Sequence, residues 1–402
     1  MKKRILYSAF LCLLALCMLV SCTETPAETS SEAASEASSE ASSAAESSVI
    51  ESSEESSEPP REVSMSYEIP NNYNDEYSDT FGVEEFVEME IKSSNNTYAI
   101  TYYYPDGGSY RTHLVKKRWG VWMLGAMEHR DAKGKTVQMS SSSTDYEWVS
   151  ACGKTTNTIT FRGGNHGDYA TSDWNADDSS KSNDRLLDMT FYDAKTGEKV
   201  EIEEGATVKV NGLRVVIHTN IYDGEYNEDN VLICTEKLYL FNGEDVFVQS
   251  ELFLAQDTYF KITYSCMFPV AKSYGNYILF HNDDGTTTLV KTPLTGKSNY
   301  GSNFSNNHKS TKVTLFGEKA PGHRMTVQIY NPEDMFCQSQ QYTMLWDMNP
   351  SSNKLYFSSF TNSKATKIEK GTVWTYCSSW SFSYDPDATL PDDSEVDEML
   401  GF

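Results

Sequence analysis

Apolar and polar residues alternate over short segments through most of the chain beyond residue 64, which is the pattern of half-buried β-strands. Glycine-containing turn sequences separate these segments, and no segment in this part keeps a 3.6-residue apolar period over a long stretch. We therefore predict an all-β fold, a large β-sandwich or jelly roll. The predicted strands are 98–104, 121–127, 158–161, 213–222, 231–241, 246–253, 259–268, 277–281, 325–330, 354–360 and 372–384. The turns between them contain Asp106-Gly107-Gly108, Asn211-Gly212, Asn242-Gly243 and Asp284-Gly285.

The first residues have the layout of an export signal. Lys2, Lys3 and Arg4 precede an apolar run over 5–20, which is too short and wrongly flanked for a membrane-spanning helix. The run ends Leu-Val-Ser-Cys, and this ending resembles the lipobox of bacterial lipoproteins. The resemblance implies cleavage before Cys22 and a diacylglycerol on its thiol, with fatty chains such as palmitate. Such an anchor fixes a protein to the extracellular face of the bacterial cell membrane. The alternative is an ordinary secretory signal in which this Cys occurs by chance.

Composition divides the rest of the chain into three parts. Residues 23–63 are almost entirely Ser, Glu and Ala, with 11 Glu and one Arg, so we predict a disordered, extended tether. Residues 64–384 carry the predicted strands and form one β-sandwich domain or two sub-domains. The acidic segment 385–402 is predicted to fray, although 396–402 could dock on the domain.

Charge and cysteine content narrow the function classes. The formal charge of −25 argues against a nucleic-acid partner, which requires basic patches, and favours a neutral or cationic partner. The cysteines beyond the signal and Cys22 are odd in number and include no CxxC pair, so we interpret them as buried small apolar residues rather than a disulfide framework or a zinc site. They are Cys152, Cys234, Cys266, Cys337 and Cys377.

One candidate site is the segment 158–169, TITFRGGNHGDY. Gly163 and Gly164 end a predicted strand, and the turn after them carries Asn165 and His166. Paired glycines allow a close backbone approach, and loops at strand ends often carry function. A hydrogen-bonded turn without a catalytic role is the more common meaning of such a pattern.

A second candidate is the predicted strand 213–222, LRVVIHTNIY. Alternation places Arg214, His218 and Asn220 on one face of this strand. That face lines either a groove or solvent, and the pattern fits both equally well.

The residue types of these segments resemble the active sites of β-jelly-roll polysaccharide lyases. In that family an amide or guanidinium neutralises the uronate carboxylate, and a His or Tyr then moves the proton. The resemblance implies that Asn165 and Arg214 neutralise the carboxylate, that His166 or His218 is the base, and that Tyr264 is the acid. The longer diagnostic motifs of the family are absent, so the resemblance covers residue types alone.

Two other functions fit the sequence. Glycoside hydrolysis needs a pair of carboxylates, for which Glu236 and Glu251 on alternating strands are the candidates. A non-catalytic carbohydrate- or protein-binding module would use aromatic rings, and the chain has 7 Trp, 25 Tyr and 18 Phe. The last predicted strand aligns one aromatic face, which we interpret as core rather than as a stacking surface. Its members are Trp374, Tyr376, Trp380, Phe382 and Tyr384.

An acidic loop over 168–184 raises the question of a cofactor. It holds five aspartates, and oxygen-rich loops suit Ca²⁺, but the spacing is not that of an EF-hand. A solvated loop is the main expectation, and calcium is the one cofactor the sequence suggests. The chain contains no Walker loop, HExxH, GxSxG or dinucleotide fingerprint.

Overall fold

A computed structural model describes twelve parts of the chain. They are residues 83, 85–116, 120–140, 149–156, 161–164, 184–223, 228–294, 303–305, 310–330, 343–348, 352–360 and 365–400. All of them fall within one compact unit, Ser64–Phe402. The signal, Cys22 and the tether lie outside the described residues. Among the residues described, no helix is long and apolar enough to cross a membrane.

The described residues form strands, turns and three short 3₁₀ helices, so the predicted all-β class is confirmed. The strands are β1 (Glu88–Ser94), β2 (Thr97–Tyr103), β3 (Ser109–Lys116), β4 (Trp122–Arg130), β5 (Thr136–Gln138), β6 (Val149–Gly153), β7 (Phe161–Gly164), β8 (Asp184–Asp193), β9 (Lys199–Val200), β10 (Thr207–Asn211), β11 (Leu213–Tyr222) and β12 (Val231–Asn242). They continue with β13 (Asp245–Leu254), β14 (Thr258–Ala271), β15 (Tyr277–Asn282), β16 (Thr287–Lys291), β17 (Asn303–Ser305), β18 (Ser310–Gly317), β19 (Ala320–Tyr330), β20 (Thr343–Met348), β21 (Ser352–Phe360), β22 (Thr366–Ile368), β23 (Val373–Tyr384) and β24 (Glu398–Met399).

These strands build three sheets within the described part of the chain. A six-stranded sheet has the order β10-β1-β2-β3-β4-β5. An eleven-stranded sheet has the order β24-β16-β15-β18-β19-β23-β13-β12-β11-β8-β9. A seven-stranded sheet has the order β17-β20-β21-β14-β6-β7, with β22 also pairing with β14.

The six- and seven-stranded sheets both pack on one face of the eleven-stranded sheet. On β23, Phe382 stacks on Tyr110 of the six-stranded sheet with ring centroids 5.0 Å apart. Two residues earlier on the same face, Trp380 stacks on Phe268 of the seven-stranded sheet at 6.5 Å. All four rings belong to one continuous apolar cluster, because alternation turns every second residue of each strand inward. The sandwich predicted from the sequence is therefore confirmed.

The aromatic face of β23 is core over most of its length. Trp374, Trp380 and Phe382 are 9%, 2% and 4% exposed, which confirms the core interpretation for these three. Tyr384, at the end of the strand, is 44% exposed and leaves the core. The side chain of Tyr376 lies outside the described residues.

Two terminal segments are fixed to the eleven-stranded sheet. At the N-terminal end, Asn242 accepts a hydrogen bond from the Val87 N–H at 2.9 Å and donates to the Glu85 carbonyl at 2.8 Å. At the C-terminal end, β24 pairs parallel to β16, and Leu400 packs on the core. The described residues 385–400 are therefore ordered rather than frayed, and the docking expected of 396–402 is seen for 396–400. A capping box between Asp392 and Glu395 helps to fix this segment.

The interpretation of the cysteines as buried residues is confirmed for the three whose side chains are described. Cys234, Cys266 and Cys377 are buried thiols. The side chain of Cys152 and all of Cys337 lie outside the described residues.

Candidate functional site

A pocket of about 340 Å³ opens where the ends of the six- and eleven-stranded sheets meet. We call it the Tyr104 pocket. Its lining residues are Tyr104, Pro105, Asp106, Gly108, His129, Asp131, Ala132, Glu244 and Tyr384. They come from three turns and the ends of two strands, so the site depends on how the two sheets stack.

The turn between β2 and β3 supplies one wall of the pocket. The Tyr104 N–H donates to the Gly108 carbonyl at 2.9 Å, and Asp106 Oδ1 accepts from the Gly108 N–H at 2.9 Å. Gly107 has φ of +91°, a conformation that glycine adopts without strain. A side chain at Gly108 would meet the Arg130 carbonyl oxygen, which would lie 2.8 Å from its Cβ. The sequence DGG therefore holds this wall close to β4.

The end of β4 and the turn after it supply the second wall. His129 lies opposite Tyr110 on β3 and Val137 on β5. Asp131 lies two residues after His129. Asp131 Oδ1 accepts hydrogen bonds from the backbone N–H groups of Lys133 at 3.0 Å and Lys135 at 2.9 Å. These bonds lower the pKa of Asp131, with the Lys135 bond contributing most. Asp131 is accordingly ionised at neutral pH.

The eleven-stranded sheet supplies Glu244 and Tyr384. Asn242 pairs with Asp245, so Gly243 and Glu244 form the tip of the β12–β13 hairpin, with Gly243 at φ +65°. Burial raises the pKa of Glu244, although its carboxyl lies at a turn. Tyr384 ends β23, and its ring centroid lies 4.6 Å from that of His129.

Two histidines from different sheets form a pair behind the pocket. His129 Nδ1 lies 3.0 Å from His323 Nε2, and the residues are 4% and 7% exposed. One ring nitrogen donates and the other accepts, which requires at least one neutral ring. Burial lowers the pKa of both, and in His323 the nearby His129 and Lys135 lower it further, to about 4. Both rings are therefore neutral at neutral pH.

The Tyr104 hydroxyl is buried beside the Glu244 carboxyl. Burial raises the pKa of Tyr104, and the nearby Glu244 carboxyl raises it further. The phenol therefore keeps its proton and remains a donor to that carboxyl or to a ligand.

The pocket combines two phenol rings, three carboxyl groups and a neutral imidazole. Its described lining residues include no Lys or Arg. Carboxylate oxygens accept hydrogen bonds from hydroxyl groups, and aromatic rings bind flat apolar faces. A volume of about 340 Å³ lies at the small end of ligand pockets, which run from roughly 300 to 1,000 Å³. The arrangement suits a small, hydroxyl-rich ligand that is not an anion.

Of the residues predicted from the sequence, two lie on a described strand away from the Tyr104 pocket. Arg214 and His218 lie on β11, and neither is among the described residues that line the pocket. The Arg214 guanidinium lies over the Tyr192 ring, 4.4 Å from its centroid. Asn165 and His166 follow β7 in sequence and lie outside the described residues. Cα atoms of β7 and β11 come within 8 Å of one another.

His218 bridges two carboxylates. Its Nδ1 lies 2.7 Å from Asp188 Oδ1 and its Nε2 lies 2.8 Å from Glu236 Oε2. These bonds raise the pKa of His218, the Glu236 bond most, against the opposing effect of burial. Since both nitrogens are donors, this ring is an imidazolium and not a ready base. Its catalytic role stays a prediction.

Tyr264 and the carboxylate pair were also predicted. Tyr264 lies on β14 in the seven-stranded sheet, and its side chain is outside the described residues. Glu236 and Glu251 are direct register partners on β12 and β13, so they share one face. Burial raises the pKa of Glu251, and the Glu236 charge raises it further. The pairing agrees with the carboxylate pattern that hydrolysis requires, and hydrolysis by this pair stays a prediction.

The predicted calcium loop, 168–184, lies outside the described residues except for Asp184. Among the residues that are described, no group of three or more His, Cys, Asp or Glu side chains is placed to hold a metal ion. Calcium binding stays a prediction.

Several solved structures are similar to this chain, at low identity. No protein-family model matches it, and no curated protein matches it in sequence. A GH36 alpha-galactosidase from Geobacillus stearothermophilus is similar over 71% of this chain and 41% of its own, with 8% identity and a TM-score of 0.38. A Klebsiella pneumoniae protein described as an aldose 1-epimerase is similar over 80% of this chain and 92% of its own, with 10% identity and a TM-score of 0.38.

A third similar structure is a protein from Synechocystis, with 11% identity and a TM-score of 0.32 over 71% of this chain and 96% of its own. Two of these three names belong to carbohydrate-related enzymes. The chain spans less than half the length of the alpha-galactosidase. These values are too low to place the chain in a family or to assign it an activity.

Sequence reasoning identified the turns of the Tyr104 pocket but not the pocket. Asp106-Gly107-Gly108 and Asn242-Gly243 are both turns, as predicted. The available signal was that an acidic residue stands in each turn, Asp106 in one and Glu244 beside the other. Nothing in the sequence indicates that the two turns face one another.

Proposed function

We propose that this protein is a lipid-anchored extracellular protein that binds a small saccharide in the Tyr104 pocket. The observation that carries the proposal is the composition of that pocket. Tyr104 and Tyr384 offer rings, Asp106 and Asp131 offer carboxylate acceptors, and His129 is held neutral. Hydroxyl groups satisfy the acceptors, and a sugar ring has a flat apolar face for the tyrosines.

Calorimetric titration tests this proposal directly. The full-length protein, kept in a detergent that is not a glycoside, is titrated with a panel of neutral and charged mono- and disaccharides. Tyr384→Ala removes an exposed ring from the pocket, and we expect it to weaken binding roughly two- to twelvefold, since an aromatic contact contributes about 0.5–1.5 kcal/mol.

Tyr103→Ala is the matched control. Tyr103 is also an exposed tyrosine, at 51%, but its hydroxyl bonds Glu90 at 2.9 Å and it does not line the pocket. We expect the control to bind as the wild type does. Equal losses in both variants, or no saccharide binding at all, would refute the proposed site.

The lipid anchor is the second part of the proposal. Two sequence features support attachment at the extracellular face of the cell membrane: the lipobox at Cys22 and the Ser-, Glu- and Ala-rich tether after it. The tether would hold the β-domain away from the lipid. Mass spectrometry of the mature N-terminus should find an acylated Cys22, and Cys22→Ser should release the protein from the membrane. An unmodified Cys22 in the membrane fraction would contradict the anchor.

A second candidate function is lyase action on a uronate polysaccharide. One observation favours it: Val149 on β6 is the register partner of both Gly164 and Tyr264. This brings the strand that precedes Asn165 and His166 to within one strand of Tyr264.

The test is a search for unsaturated uronate products on alginate and polygalacturonate. His166→Ala should abolish their formation, whereas His281→Ala, a control on β15 whose Nε2 lies 3.0 Å from Thr314 Oγ1, should not. Absence of unsaturated products from every uronate polymer would reject the lyase hypothesis and leave the binding proposal unaffected.

A further inference from the structure

We propose that the saccharide bound in the Tyr104 pocket carries a protonated amine, so that the pocket selects an amino sugar over the corresponding neutral sugar. The inference rests on the proposed function, because it names the ligand class of the same site. It is argued from the carboxyl groups, the rings and the histidine pair that surround the cavity.

Three carboxyl groups reach the pocket from three separate turns. Asp106 comes from the β2–β3 turn, Asp131 from the β4–β5 turn and Glu244 from the β12–β13 hairpin. The described lining residues include no cationic side chain. A cation in the cavity would be attracted to the carboxylates that line it.

In two of these carboxylates, one oxygen accepts hydrogen bonds from the backbone and the other does not. Asp106 Oδ1 accepts from Gly108, and Asp131 Oδ1 accepts from Lys133 and Lys135. No described residue donates to the second oxygen, Oδ2, of either group. Each therefore keeps an acceptor for a ligand N–H while its backbone bonds hold it in place.

The Glu244 carboxyl is the part of the pocket where a bound cation would have the clearest effect on the pKa. Burial raises the pKa of this carboxyl because the ionised form is poorly solvated there. An ammonium group in contact with Glu244 would replace the missing solvation and favour the ionised carboxylate. A neutral sugar hydroxyl provides only a single, weaker hydrogen bond.

The rings and the histidine pair support the same ligand. Tyr104 and Tyr384 present π faces, which attract an ammonium group. Burial lowers the pKa of His129 and outweighs the opposing effect of Asp131 and Asp106, so no imidazolium competes for the carboxylates at neutral pH. The formal charge of −25 also attracts a cationic ligand from solution.

The test compares glucosamine, glucose and N-acetylglucosamine by calorimetric titration of the full-length protein, at a pH where the free amine is protonated. Acetylation removes the charge and keeps the nitrogen. We expect glucosamine to bind about tenfold more tightly than glucose or N-acetylglucosamine, and we expect added salt to reduce the difference.

Isosteric neutralisation identifies the carboxyl groups. Glu244→Gln and Asp131→Asn should each reduce the preference for glucosamine over glucose several-fold. Asp106→Asn provides a third variant, since its amide oxygen can still accept from Gly108. Asp284→Asn, in the β15–β16 turn away from the pocket, is the matched control and should keep the full preference.

The outcomes separate this inference from the proposed function. If glucose and glucosamine bind equally and both depend on Tyr384, the amine preference is wrong and saccharide binding stands. If the preference survives in all three neutralised variants, the amine is bound elsewhere and the inference is refuted. If none of the three sugars binds, this inference is refuted, and the proposed function stands only if the wider saccharide panel yields another ligand.

Discussion

The buried His323 should make the stability of the protein depend on pH between about 4 and the ordinary histidine pKa near 6.5. The pKa of His323 is about 4 in the folded protein, because burial and its neighbours His129 and Lys135 disfavour the charged ring. In this range the unfolded chain binds a proton at His323 and the folded protein does not. Stability therefore rises with pH through the range and gains nothing further from this group above it.

The magnitude follows from the size of the shift. A change from about 6.5 to about 4 corresponds to roughly 3 kcal/mol, since one pKa unit is worth about 1.4 kcal/mol. Part of the shift comes from the contact with His129, so this figure is an upper estimate. Asp and Glu residues also titrate near the lower end, which means that wild type and variant must be compared at each pH.

Urea unfolding of the wild type and His323→Gln across this range measures the effect. Glutamine can keep a hydrogen bond to His129 Nδ1 but does not titrate. We expect the variant to be less stable than the wild type near neutral pH, and we expect this difference to shrink or reverse as the pH falls towards 4. Parallel curves for the two proteins would refute a neutral, buried His323.

His218→Gln provides a control of opposite sign. Asp188 and Glu236 raise the pKa of His218, so its stabilising contribution is fully present below the ordinary histidine pKa. It is lost as the pH rises through the raised pKa. The cost of this substitution should therefore fall towards alkaline pH, the reverse of the acid-side effect at His323.

Three further predictions concern the stability of the turns that line the pocket and of the C-terminal segment. Asn242→Ala should destabilise the protein by about 1–3 kcal/mol, because it removes both bonds to the entering segment, and hydrogen exchange at Val87 should rise. Gly108→Ala should lower the melting temperature, since it brings a Cβ to 2.8 Å from the Arg130 carbonyl oxygen. Deleting 386–402 should reduce the free energy of unfolding by several kcal/mol, because it removes β24 and the apolar contacts of the C-terminal segment; an unchanged urea midpoint would show that the segment contributes nothing.

Alternation in the sequence predicted the strands whose two faces differ. β11 has the predicted bounds, Leu213–Tyr222, because its inner positions are apolar apart from the buried Thr219. β8 (Asp184–Asp193) and β18 (Ser310–Gly317) were not among the predicted strands, since each begins in polar residues that resemble a loop. Their pairing with β11 and β19 completes their hydrogen bonds, and local propensity does not encode that partner.

The C-terminal segment shows a different limit. Its acidic composition favoured fraying, but composition does not report local caps or partners. Asp392 and Glu395 form a capping box, and Asp397 Oδ2 accepts from the Leu289 N–H at 2.7 Å. The sequence did contain the capping signature D-x-x-E, which was the signal available for an ordered segment.

The polar face of β11 illustrates why residue type alone does not identify a site. Alternation placed His218 on a polar face, and the structure places it between two carboxylates. The pattern along one strand cannot tell which side chains of neighbouring strands stand opposite. His129 and His323 are separated by 194 positions in sequence, so their contact depends on the stacking of two sheets.

The Tyr104 pocket differs in composition from the apolar core beside it. Its described lining residues place three carboxyl groups and no cationic side chain around one cavity, and burial raises the pKa of Glu244 beside the Tyr104 hydroxyl. None of these groups is needed to pack the sheets, because the apolar cluster is continuous without them. A ligand with hydroxyl groups and an ammonium group would satisfy the carboxylates. Perturbed titratable groups that line a cavity are typical of a functional site rather than of a structural turn.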